Sequence, residues 1–563
     1  MKKVLQNFIA FALILSAISA DAQMRYLDDV FTNVTVTSDV QYAENISIFP
    51  MLLGGGPTLS PLLCDIYEPI GDPLTERPVV ILAHTGSFLP KVMNGQPTGD
   101  KTDSSVVEQC MRWARKGYVA VAMNNRLGWN AMSLDQDERT STLLQAAYRG
   151  IQDAKAMVRF LRKTEDLDGN PYGIDQTKIA LGGQGTGGYL SLGYATLDTV
   201  GDATPWAEIY LTKFFNLNTV QPYVYPPWYG NYDGTDSTWL PDSIYSPIAG
   251  AMVAVSPTGQ TELWNVPNWP TYSNEINMAF NIGGCLADSS WLEDGDIPMV
   301  SFHCAKDENG PYANGDVIVP TTQQFVVEAQ GSYIVQKHQA MYSNNAVFAN
   351  MGFSDAFTQA SVANNTSLTT INGYTVGNNY DGLYTFVTPA PSSTPNAFGQ
   401  SYTEEGAPWD WWDLAVYDTA WMHSPLTPAA ALIPGFGAAN SILGNPNMSP
   451  SHGNAYLDTI QGYLNPRMFL ALGLDTIATT SIEDIIDFAT EIYPNPTTEK
   501  VNVVSYAAAI NSIEIYNIHG QIVYSKEVNA NAIKIGTTSF SNGVYIMNIK
   551  SDKATITRKL IVE

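Results

Sequence analysis

Positive charge, cysteine, histidine and long apolar runs are all scarce in this chain of 563 residues. Lysine and arginine number 28 against 54 aspartates and glutamates, a formal net charge of −26. Duplex nucleic acid, anionic membrane surfaces and polyphosphate ligands are repelled by such a chain, and no nucleic-acid partner is expected. Beyond the first residues no stretch approaches the ~20 apolar residues that span a bilayer, so no transmembrane segment is expected. Only Cys64, Cys110, Cys285 and Cys304 are present, none in a CxxC or CxxH spacing. No zinc site follows from them, and no metal or other cofactor is expected. Charged residues make up 15% of the chain and hydrophobic residues 45%, which excludes general disorder. At roughly 150 residues per domain, the length also excludes a single small module.

The start of the chain reads as a leader. Lys2 and Lys3 precede an apolar run at residues 8–18, followed by Ala20-Asp21-Ala22 and Gln23. A basic start, a short apolar core and a small-x-small site define a signal peptide at residues 1–22, cleaved after Ala22. Export permits disulfides, and four cysteines allow three pairings. Cys285 and Cys304 are the favoured pair, being close in sequence around the acidic loop Glu293-Asp294-Gly295-Asp296, with buried free thiols as the alternative.

Short apolar runs at residues 62–67, 79–83, 118–123, 178–182, 249–255 and 298–302 alternate with helical patterns. One helix is expected over residues 104–116. Another spans 143–163, where Ala147, Ile151, Ala154, Met157, Val158 and Leu161 recur at helical spacing. The alternation predicts an α/β fold with a mostly parallel sheet and helices on both faces, over residues 23–476. Two regions break it. Residues 201–246 are rich in aromatics and read as a cap insertion bordering the cleft, with Trp228 and Trp239 as candidate stacking residues for a polysaccharide or aromatic ester. Residues 352–451 read as an irregular insertion containing Trp409-Asp410-Trp411-Trp412-Asp413. A linker is expected at 477–489, and residues 490–563, with turn signals at close intervals, predict a small all-β sandwich.

That last segment carries Tyr493-Pro494-Asn495-Pro496, Ile515-Tyr516-Asn517-Ile518-His519-Gly520, Ser541-Asn542-Gly543-Val544-Tyr545 and Lys559-Leu560-Ile561-Val562. It resembles the C-terminal sorting domain (type A) of type IX secretion system cargo. The resemblance implies a partner, the type IX secretion machinery, and a destination at the cell surface or outside the cell.

The larger part carries three matching pieces. Residues 78–88 form a strand ending in His84-Thr85-Gly86-Ser87-Phe88; residues 178–188 form a strand entering Gly183-Gln184-Gly185-Thr186-Gly187; residues 297–307 form a strand ending at Asp307. Together they resemble the α/β-hydrolase superfamily, in its carboxylesterase and feruloyl-esterase-like branch. That family's turn reads G-x-S-x-G, with serine as the nucleophile. Here Gly185 holds the serine's place, and glycine cannot form an acyl-enzyme. Thr186 is a substitute one residue past the tip. The resemblance makes Gly86, Ser87 and Thr186 the oxyanion-hole residues and Asp307 the acid. The histidine position falls on Gly406, in Glu405-Gly406-Ala407-Pro408-Trp409, where no imidazole stands. His452, or else His423, is an alternative base, although His452 also fits an exposed helix start. His84 belongs to the oxyanion-loop pattern, while His303, His338 and His519 read as structural. Asp166-Leu167-Asp168-Gly169-Asn170 lacks the register of a calcium loop and reads as a helix-ending turn.

Three readings follow: a secreted hydrolase-fold protein without catalysis that binds a ligand or polymer, an active ester hydrolase with another nucleophile, and a surface adhesion or structural protein.

Overall fold

Every residue of Arg77–Ala83 and of Val119–Met123 is buried, as strands covered on both faces must be. The computed structural model describes residues 24–475 and 490–563, apart from 53, 198–213, 217–220, 320–322, 350–352, 425–426, 506–508, 518–520 and 552–554. The leader at 1–22, the whole linker at 477–489 and His519 therefore lie outside the described residues, as does the first part of the cap.

The central sheet has eight strands: β1 Val34–Ser47, β2 Thr58–Pro69, β3 Arg77–Ala83, β4 Val119–Met123, β5 Ile174–Gln184, β6 Met278–Ile282, β7 Met299–Cys304 and β8 Leu383–Phe386. Their spatial order is β1-β2-β4-β3-β5-β6-β7-β8. The first two pairings are antiparallel and the rest parallel. Gly182 faces Phe280 across the β5–β6 pair, and a Cβ there would lie 2.1 Å from the Phe280 ring, so only glycine fits. Helices α1 Ser104–Lys116, α2 Gln136–Asp166, α3 Thr186–Thr196, α4 Ser332–Tyr342, α5 Ala356–Ser367, α6 Leu414–His423 and α7 Pro450–Ala471 accompany the sheet. Asp135 caps α2 by accepting from the Asp137 N–H, which starts the helix a full two turns before the apolar period becomes clear.

Three expectations need correction. The apolar run at 249–255 is no sheet strand: Ala251–Ala254 pairs with Ser243–Ser246 in a hairpin whose Tyr245 and Met252 are exposed. The sixth strand is Met278–Ile282, which sequence reading passed over because Asn281 interrupts its apolar run. That asparagine is buried and satisfied, donating to Gly284 O at 3.0 Å and Ser332 Oγ at 2.9 Å. Residues 352–451 are not irregular throughout, since α5, β8 and α6 lie within them. The favoured Cys285–Cys304 pair is not formed either; all four thiols are free and buried. The Cys285 thiol turns instead to the Pro311 carbonyl at 3.4 Å, and burial pushes both thiols' pKa values up.

The second unit, Gly473–Glu563, contains two antiparallel sheets. One joins Thr490–Tyr493, Lys500–Ser505 and Ala532–Gly536; the other joins Ile522–Ala530, Ile510–Tyr516, Gly543–Ser551 and Thr555–Val562. Their inward residues, Val501, Val503, Ile513, Ile515, Met547, Ile549 and Leu560 among them, form one core. This is the predicted sandwich.

Candidate functional site: a glycine-flanked elbow

Strand β5 ends at Gln184 and α3 begins at Thr186, so Gly185 alone makes the turn. Its backbone stands at φ 49°, ψ −115°, a conformation that L side chains rarely adopt. The flanking glycines are demanded by contact. A Cβ on Gly183 would lie 2.1 Å from the Gly187 carbonyl carbon, and one on Gly187 would lie 2.3 Å from the Ala83 oxygen. The Gly185 N–H donates to Ile282 O at 2.8 Å, which ties the elbow to β6.

The space over Gly185 is filled. A Cβ on this residue would lie 2.2 Å from Thr85 Oγ1, so the threonine hydroxyl stands where a nucleophile's side chain would begin. Thr85 belongs to the loop after β3, where Gly86, Ser87 and Phe88 have φ values of 122°, 55° and 52°. Three successive left-handed residues curl the chain back. Trp129 Nε1 holds Ser87 O at 2.7 Å, and the Gly128 N–H holds Phe88 O at 2.8 Å. Among the described residues the backbone N–H groups of Gly86, Ser87 and Thr186 donate to no acceptor. His84 is buried beside them; its Nδ1 is bonded to Thr85 O, and burial lowers its pKa.

At the other end of the site, Asp307 follows β7 with its side chain 5% exposed. Oδ1 accepts from the N–H groups of Asn309 at 2.7 Å and Gly310 at 3.2 Å. Burial nevertheless pushes its pKa up to about 7. A Cβ on Gly406 would lie 2.7 Å from Asp307 Oδ1, so the Gly406 backbone packs directly against that carboxylate. His303 is no replacement. Its Nε2–H donates to Gly310 O at 3.0 Å, its Nδ1 takes the Ser332 hydroxyl at 2.9 Å, and burial lowers its pKa to about 4. His452, in the first turn of α7, lies 3.5 Å from Glu405 Oε2 and edge-on to Tyr456, so the carboxylate nearest to it is that of the residue before Gly406. His423 sits exposed at the end of α6, bonded to Thr419 O at 2.7 Å.

The segment holding Gly406 also brings features that sequence reading did not anticipate. Trp409 is buried against Gly283, whose Cβ would lie 3.1 Å from the indole. Asp410 accepts from the Ser105 hydroxyl, which also lies 3.2 Å from Gln184 Oε1, directly before the elbow. Burial pushes the Asp410 pKa up to about 7. Thr85 was missed too, although a signal existed: a bulky residue in a loop where the family has glycine, coupled to glycine where the family has serine.

In the described part of the aromatic insertion, Phe214 and Tyr223 pack with the main core that also holds Phe88, while Trp228 packs against a smaller cluster with Tyr148 of α2, Ile48 and Trp264. Trp239, 56% exposed, sits on Thr238–Leu240 paired with Glu262–Asn265. A groove of about 850 Å³ lined by Glu108, Arg112, Phe357 and Asp458 contains none of the candidate site residues.

The strand order, the elbow after β5 and the acid after β7 define an α/β-hydrolase fold carrying a C-terminal sandwich. Residues 491–563 match the secretion system C-terminal sorting domain. The protein is accordingly a secreted one, destined for the cell surface or the exterior, and no helix among the described residues is long and apolar enough to cross a membrane. No curated protein matches the chain in sequence. Among solved structures the chain is similar to Thermogutta terrifontis esterase 2 phosphorylated by paraoxon, at 16% identity over 52% of this chain and 77% of that one, TM-score 0.26. The propionate-bound form of that esterase matches at 16% identity over 45% and 70%, TM-score 0.25. The native form matches at 15% over 51% and 76%, TM-score 0.26.

Proposed function

We propose that the large domain is a hydrolase fold that has given up covalent ester hydrolysis and serves at the cell surface as a binding protein. The observation that carries this reading is Gly185 in the elbow conformation with Thr85 Oγ1 occupying the nucleophile's space. The absence of an imidazole at Gly406, where the backbone abuts Asp307, supports it independently. Without a hydroxyl at the elbow tip and a base beside the acid, neither acylation nor proton transfer has its group. The test is turnover of short p-nitrophenyl esters and labelling by a fluorophosphonate. The expected result is background turnover and no label, whereas label mapping to Thr85, Thr186 or any serine of the site would establish an ester hydrolase with another nucleophile.

The exposure of Trp239 and Tyr245 favours an apolar or glycan surface as ligand. Tryptophan fluorescence should then shift on titration with polysaccharide fragments, and Trp239→Ala should weaken the response. An unchanged signal across a broad panel would favour the adhesion or structural reading. Trp228→Ala is the control, since that ring packs in a cluster and its loss acts on stability.

A further inference from the structure

Arg149, in the middle of α2, is 2% exposed and has no carboxylate within ion-pair distance among the described residues. Its Nη2 donates to Gly128 O at 2.7 Å, but Nε and Nη1 find no acceptor there. The neighbouring Arg126, 3% exposed, takes the nearby carboxylate: its Nε lies 2.8 Å from Asp153 Oδ1 and its backbone N–H 2.7 Å from Oδ2. Arg126 Nη2 donates to Gln152 Oε1 at 3.1 Å and to Arg149 O at 3.2 Å, while its Nη1 is unpartnered. Two buried guanidiniums thus share one carboxylate. Burial and the neighbouring Arg126 push the Arg149 pKa down to about 10, which still leaves it charged at neutral pH.

Two buried guanidiniums beside a single buried carboxylate leave a net positive charge, which is strongly disfavoured in a low-dielectric interior. A water molecule could accept the orphaned N–H groups, but it would add no negative charge to balance the second guanidinium. We propose that the Nε and Nη1 edge of Arg149 binds a small monovalent anion of halide size. The site is separate from the elbow yet connected to it. Arg149 holds the Gly128 carbonyl, and the Gly128 N–H holds the Phe88 carbonyl at the end of the left-handed loop. An anion on Arg149 therefore fixes the backbone of that loop.

Crystals of the mature chain grown in bromide should show an anomalous peak at hydrogen-bond distance from Arg149 Nε or Nη1. In solution, replacing gluconate by chloride or bromide at constant ionic strength should raise the large domain's Tm saturably, by about 2 °C or more. Arg149→Met should abolish that dependence and Arg162→Met, at the more exposed end of the same helix, should keep it. If Arg149→Met does not fold, the bromide crystals of the unaltered chain decide. Bromide peaks at the surface only, a water or a protein carboxylate in that position, or a halide-independent Tm would each overturn the proposal.

Discussion

The two ends of the candidate site are filled differently. At the elbow, Gly185 carries no side chain and Thr85 Oγ1 from the neighbouring loop stands in the space over it. Around Asp307, the carboxylate is enclosed by the Gly406 backbone and, over Gly283, by Trp409. In both places the main chain keeps the hydrolase course. It is held by contacts that no single side chain controls: glycine against glycine at 183 and 187, and strand ends against α3. Architecture of this kind rests on no single polar side chain, because removing one hydroxyl or one imidazole disturbs few packing contacts.

The sharpest way to break this comparison is to remove charge at the acid end. The raised pKa of Asp307 means that the folded chain holds its proton more tightly than the unfolded chain does. The stabilisation is present at low pH and is lost as pH rises from about 4 through about 7. Asp307→Asn should therefore stabilise the large domain by up to about 4 kcal/mol at pH 8 and by little at pH 4, read from denaturant midpoints at the two pH values. A pH-independent effect would mean that the carboxylate has a partner.

At the elbow, Gly185→Ser should destabilise by about 3 kcal/mol, from strained backbone plus collision with Thr85, and should leave ester turnover at background. Thr85→Gly with Gly185→Ser should recover the collision part, about 1–2 kcal/mol. If the single variant were as stable as the unaltered chain, the threonine would not be filling the nucleophile's space. The smallest effect is expected at His452: His452→Gln should cost roughly 1 kcal/mol or less, since its imidazole is a quarter exposed and its partner Glu405 keeps the Asn447 amide at 2.8 Å. A loss of several kcal/mol there would make the His452–Glu405 pair part of the core of the site.

Most of the frame was legible in the chain. The runs ending at Ala83 and Met123 are uninterrupted and β-rich, the short run at 178–182 leads into a glycine-flanked turn, and α1 shows its amphipathic period end to end. Met278–Ile282 was not legible, because a satisfied buried asparagine resembles a loop residue until its partners are known. The run around Ala251–Ala254 misled for the opposite reason: apolar sequence predicts burial, and this hairpin stands in solvent. The cysteines misled through proximity along the chain, which says nothing about where Cβ vectors point.

By itself the sequence determined the sheet's main strands, the sorting tail and the glycine-flanked elbow, because each is encoded locally in a short run or a glycine spacing. Only the tertiary structure decided what packs around the elbow and the residues facing it. The meetings of Thr85 with Gly185, Gly406 with Asp307, Asp410 with Ser105 and Arg149 with Gly128 join residues from 21 to 305 positions apart. Such pairings are products of how the strands are ordered and how the loops at their ends cross, and no local pattern carries them.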